Sequence, residues 1–105
     1  MNTEKLSAIA REMNAGTKVR VEDQVLQVKK TSSQRLKTLS FQLDGREYQA
    51  IEQNPEKPSR WGELARKGHH VVQFRDVGSG KYVAVAIDGE IKEYEKLGKR
   101  GPTES

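Results

Sequence analysis

The chain has 105 residues, 33% hydrophobic and 32% charged, with a formal net charge of +4 and a pI near 9.4. That length makes one domain with a thin core, and the absence of cysteine excludes disulfides, thiolate nucleophiles and cysteine-held metal. No run approaches the ~18 apolar residues of a membrane span, and the opening MNTEKLSAIAREMN has no apolar signal-peptide core, so the expectation is a soluble, cytoplasmic protein that does not contact membranes.

The first element reads as a helix. Leu6, Ile9, Ala10 and Met13 fall at i, i+3, i+4 and i+7 and form one apolar stripe. Gly16 sits where a left-handed residue commonly stops a helix. From Thr17 the period changes to two. TKVRV alternates Val19 and Val21 with basic residues, and VLQVKK puts Leu26 and Val28 on one side. KTLSFQL sets Leu39, Phe41 and Leu43 against Thr38, Ser40 and Gln42, the clearest half-buried strand in the chain. Asp44-Gly45 then signals a two-residue hairpin, because both turn positions need positive φ, and REYQAI returns.

Residues 52–70 hold two of the three prolines, the only tryptophan and both histidines. Pro55 and Pro58 bias their preceding residues away from helix. Ser59 then starts a short helix on which Trp61, Leu64 and Ala65 share a face, and Gly68 stops it. Strand pattern resumes in HHVVQF. KYVAVAI is apolar on both faces, as in a central strand covered from two sides. Asp88-Gly89 repeats the hairpin signal and EIKEY returns. Residues 1–97 form the expected domain, and 98–105, polar with glycine and proline, read as a tail.

The fold expected is α+β: about six mostly antiparallel strands, as a hairpin-rich sheet or a small barrel, with an N-terminal and a central short helix. Both halves run helix, glycine, strands, Asp-Gly turn, strand, which suggests an αβββ pseudo-repeat. The matching landmarks are unequally spaced, however, unlike a solenoid.

Signals for catalysis are thin. GSGK at 78–81 lacks the earlier glycine and the following Ser or Thr of a phosphate-binding loop, and a strand pattern follows it. No serine sits in a Gly-x-Ser-x-Gly elbow. His69 and His70 are adjacent on a strand pattern, so their rings point to opposite faces and do not share one metal. No catalytic residue, metal or cofactor is therefore assigned.

The strongest functional signal is KKTSSQRLK, residues 29–37. Four of its nine residues are basic and none is acidic, with hydroxyl and amide side chains between them. Between two strand patterns it reads as a mobile hairpin loop carrying Lys29, Lys30, Arg35 and Lys37, suited to gripping phosphates without reading bases. The first fifty residues hold nine basic against six acidic side chains, so the positive excess lies there. Trp61 and its neighbour Arg60 form a second candidate, since tryptophan and arginine often anchor interfaces. The reading is a small non-catalytic binding module whose partner is nucleic acid. One alternative is a protein partner held by a strand edge or the Trp61 helix; another is a small enzyme with a pocket near His70.

Overall fold

The computed structural model describes residues 3–94, with Tyr94 described by its backbone alone; the tail assigned to 98–105 lies outside that range. Helix α1 spans Thr3–Ala15 and buries Leu6, Ile9, Ala10 and Met13, the stripe its spacing demands. Strands β1 (Lys18–Val21) and β2 (Gln24–Gln27) make a two-stranded antiparallel hairpin. Strands β3 (Lys29–Lys30), β4 (Lys37–Leu43), β5 (Arg46–Glu52), β6 (Val71–Asp76), β7 (Tyr82–Ile87) and β8 (Glu90–Tyr94) form a six-stranded sheet in sequence order. Every neighbouring pair is antiparallel. Helix α2, Arg60–Arg66, interrupts the meander between β5 and β6.

The fold is α+β, and its sheet is open rather than closed into a barrel. The seven strand segments read from the sequence become eight strands because the run from Gln24 to Lys30 serves two partners. Its first part pairs with β1, Val28 N–H donates to the Thr17 carbonyl at 2.8 Å, and only Lys29 and Lys30 pair with β4.

Alternation along each strand gives the sheet two unlike faces. On one, Leu39, Phe41, Leu43, Ala50, Val72 and Phe74 meet α1 and the inward side of the β1–β2 hairpin. Phe41 packs edge-on to Phe74 with ring centroids 6.2 Å apart. Ala84 and Ala86, both fully buried, leave the room beneath the helix. Among the described residues, the other face is covered at one end only, where Trp61 packs on Val71 and Val85 with Leu64, Ala65 and Ile87 beside them.

The two helices end differently. Gly68 takes φ 99 just past α2, the left-handed stop its position suggested. Gly16 does not adopt positive φ, contrary to the sequence expectation. A cation ends α1 instead: Lys37 Nζ donates to the Met13 carbonyl at 2.7 Å and to the Gly16 carbonyl at 3.4 Å. A lysine at a helix C-terminus satisfies orphan carbonyls and opposes the negative end of the helix dipole.

At the start of α2, the Ser59 hydroxyl accepts the Gly62 N–H at 3.1 Å. Gly62 is required there, because a Cβ at this position would collide with the Lys57 carbonyl oxygen. Arg66 Nη1 donates to the Pro55 and Lys57 carbonyls at 2.5 and 3.0 Å, tying the proline segment to its helix.

Candidate functional site

The face opposite α1 is built by register. One cross-strand row runs Lys29, Thr38, Ile51, Gln73 and Val85; the next runs Ser40, Gln49, Arg75 and Tyr82. The β1–β2 hairpin packs on the same core as α1, and the Arg20 N–H donates to Glu12 of that helix at 2.8 Å. Val19 and Val21 point inward, so Lys18 and Arg20 point outward, with Lys18 opposite Gln27 and Arg20 opposite Val25. Beyond α2, the face is a field of hydroxyls, amides and cations. Glu47, opposite Gln42 near the β4–β5 turn, adds a carboxylate at its far end.

Lys5, Arg46, Arg60, Lys67 and Lys92 each contact a carboxylate, while Arg11, Lys37 and Arg66 donate to backbone carbonyls. Among the described residues, the side chains of Lys18, Arg20, Lys29, Lys30, Arg35, Lys57, Arg75 and Lys81 have no such partner. Residues 17–38 hold six basic and two acidic side chains, and the rest of the chain holds thirteen of each. The whole net charge therefore resides between β1 and the start of β4. Unpaired cations that share a surface raise a positive potential over it.

The sequence candidates are dispersed by this geometry. Lys29 lies on the uncovered face, opposite Thr38. Lys30 alternates to the other side of its strand, opposite Lys37, and stays exposed at the sheet edge. Arg35 is exposed at φ 55 in a loop knitted by Thr31 N–H to the Leu36 carbonyl, Arg35 N–H to the Thr31 carbonyl and Leu36 N–H to the Thr31 hydroxyl. The ammonium of Lys37 is spent on α1. Trp61 is 4% exposed. Arg60 lies 4.3 Å over the Trp61 ring and 3.4 Å from Glu93, so it covers the indole from outside. Arg46 is drawn away by Asp76 at 3.3 Å. Reading short windows missed Arg75, which stands in a hairpin-tip motif; alternation from Phe74 would have placed it.

The histidines have separate partners. His69 Nδ1 lies 2.7 Å from Asp88 Oδ2, and the His70 backbone N–H donates to Asp88 Oδ1 at 3.0 Å. Those two hydrogen bonds, the backbone one foremost, hold the Asp88 carboxyl below its ordinary value. His70 Nε2 lies 2.7 Å from Glu52 Oε2, while Glu52 Oε1 accepts the Lys37 N–H at 2.8 Å. Burial raises the Glu52 pKa, but the His70 hydrogen bond, the Lys37 amide and the charges of both residues together carry it below the ordinary 4.5. A carboxylate only accepts, so His70 Nε2 carries a proton, and the buried Nδ1 has no partner among the described residues. This is a structural brace between the end of α1 and the sheet.

A cleft of about 400 Å³ opens where the uncovered face meets the proline segment. Leu36, Ile51, Glu52, Gln53, Lys57, Pro58, Gln73 and Tyr82 are among its lining residues, and neither histidine is. Among the described residues, no group of three or more histidines and carboxylates is placed to hold a metal, and no helix is long and apolar enough to cross a membrane. No protein-family model matches this chain, and no curated protein or solved structure shows significant similarity to it.

Proposed function

We propose that this chain is a non-catalytic binding module that holds nucleic-acid phosphates against the uncovered face of its sheet. One observation carries the reading: among the described residues, Lys29, Lys30, Arg35, Lys57 and Arg75 stand on or around that face with no carboxylate or carbonyl partner, while most cations elsewhere are neutralised or bonded to carbonyls. Lys29 and Arg75 supply the charge on the face, Lys30 and Arg35 supply it at the rim, and Lys57 lines the cleft beside it. Thr38, Ser40 and Gln49 add hydrogen-bonding groups of the kind that position a sugar–phosphate backbone.

Binding of a labelled oligonucleotide across a salt series tests this. Each phosphate neutralised on duplex DNA adds about −0.9 to the slope of log K against log salt, so four to six contacts give roughly −4 to −5. Replacing Lys29, Lys30, Arg35 and Arg75 by Ala flattens the slope and leaves the fold unchanged. Absence of binding to DNA and RNA at low salt refutes the proposal.

A protein partner is the second reading, favoured by the sheet edge. Strand β3 covers only Lys37 and Thr38 of β4. Leu43 and Arg46 flank the two-residue turn, so alternation directs the Ser40 and Gln42 backbone groups toward the open edge, where an added strand could pair. Binding that survives high salt would select this reading instead.

A further inference from the structure

We infer that the cleft beside the basic face receives an unstacked nucleobase, adenine fitting best, from the strand whose phosphates the cations hold. This deepens the proposed function and rests on it. The volume, about 400 Å³, falls within the range of small-ligand sites. Three independent features give it the chemistry of a base pocket.

The first is an amide with unused valences. Gln73 is buried, 9% exposed, in the middle of the sheet and lines the cleft. Gln53 Nε2 donates to the Asn54 carbonyl at 3.1 Å, which turns the Gln53 carbonyl oxygen toward Gln73. Gln73 must therefore present Nε2–H to that oxygen, and it does. Its second N–H and its carbonyl oxygen have no partner among the described residues. A donor beside an acceptor is what glutamine offers to the N6/N7 edge of adenine.

The second is an aromatic ring turned outward by a bulge. The register shifts between Phe74/Arg75, so Phe74 faces Ala84 while Arg75 faces Tyr82, and Val83 is the extra residue. Without that residue, Tyr82 would fall on the same side as Ala84, beneath α1. The bulge moves it to the uncovered face, the kind of re-aiming found beside functional sites. Tyr82 and Ile51 then line the cleft, with Pro58 among the loop residues opposite the sheet.

The third is reach. Lys29, Thr38 and Ile51 lie side by side on three neighbouring strands. At the spacing of a sheet, Lys29 is about 10 Å from Ile51 in backbone terms, a gap that the lysine stem and a nucleotide's sugar together span. Arg35 precedes the lining residue Leu36.

The test uses calorimetry on the full chain with three probes: a twelve-residue oligoadenylate, an abasic strand of equal length, and AMP. The oligoadenylate is expected to bind roughly tenfold more tightly than the abasic strand. Tyr82→Leu and Gln73→Met each should erase that ratio while leaving abasic binding and its salt slope as in the parent. Tyr82→Leu is the safer variant, because Gln73→Met strands the buried Gln53 oxygen; circular dichroism of both reports the fold. AMP bound far more weakly than the oligomer supports the inference, and AMP bound nearly as tightly overturns it in favour of a site for free nucleotides. Equal affinity for oligoadenylate and abasic strand overturns it and leaves phosphate binding standing. Loss of all binding at low salt overturns both.

Discussion

The two faces of this sheet are made from the same strands, yet they obey different rules. Against α1, large side chains interlock: Phe41, Phe74, Leu39 and Leu43 are each no more than 3% exposed, and polar neighbours such as Glu52 and His70 bond to one another. The opposite face is closed by Trp61 at one end, and elsewhere it shows Thr38, Ser40, Gln49 and Arg75. A face that must exclude water pairs its charges, and a face left in water can keep cations free at little cost to folding. Stability and binding should therefore be separable by mutation.

The largest effect tests the covered face. Phe74→Ala removes a fully buried ring beneath α1 and should cost about 3–5 kcal/mol, read as a fall in the urea midpoint with little change in slope. Next comes the closed end of the open face. Gly62→Ala drives a methyl into the Lys57 carbonyl and should cost about 1–3 kcal/mol, whereas Glu63→Ala on the exposed side of the same helix should cost far less. If both changes were equally mild, α2 would be a loose flap and not the seal of that end.

Lys37→Met keeps the stem and removes the ammonium from the end of α1, for an expected loss of about 1 kcal/mol in thermal or urea unfolding. Acid provides a related test. Because the Glu52 carboxyl is held below its ordinary 4.5, the unfolded chain takes up its proton first. The stability it contributes is present above about that pH and is lost as pH falls through the lower, folded value. Glu52→Gln should flatten that part of the acid limb of a stability–pH curve; an unchanged limb would remove the carboxylate from the brace. Smallest of all, Lys29→Ala with Arg75→Ala should shift stability by no more than about 0.5 kcal/mol while visibly weakening oligonucleotide binding. Were it to unfold the protein instead, the contrast between the faces would collapse.

Several local features were legible because they need only neighbours in sequence. Asp44 and Gly45 adopt φ 52 and 79, and Asp88 and Gly89 adopt φ 52 and 83, as two-residue hairpin turns demand. The α1 stripe, the Ser59 start and the Gly68 stop follow the same short-range logic. The end of α1 was not legible. Gly16 looked sufficient, but the residue that satisfies the carbonyls arrives from 21 positions away. The basic segment was visible as composition, yet nothing within nine residues could show that Lys37 turns inward, or that Arg75 joins Lys29 on one face from three strands away.

Periodicity, turn chemistry and charge counts thus determined an antiparallel meander with two helices and a positive excess in its first half, since each depends on residues a few positions apart. Tertiary structure alone decided which side of the sheet α1 would cover, which cations would find carboxylates or carbonyls, and that an extra residue in β7 would turn Tyr82 outward. Alternation specifies only that two sides differ. Which of them meets water is set by long-range docking, where burial and pairing are settled together.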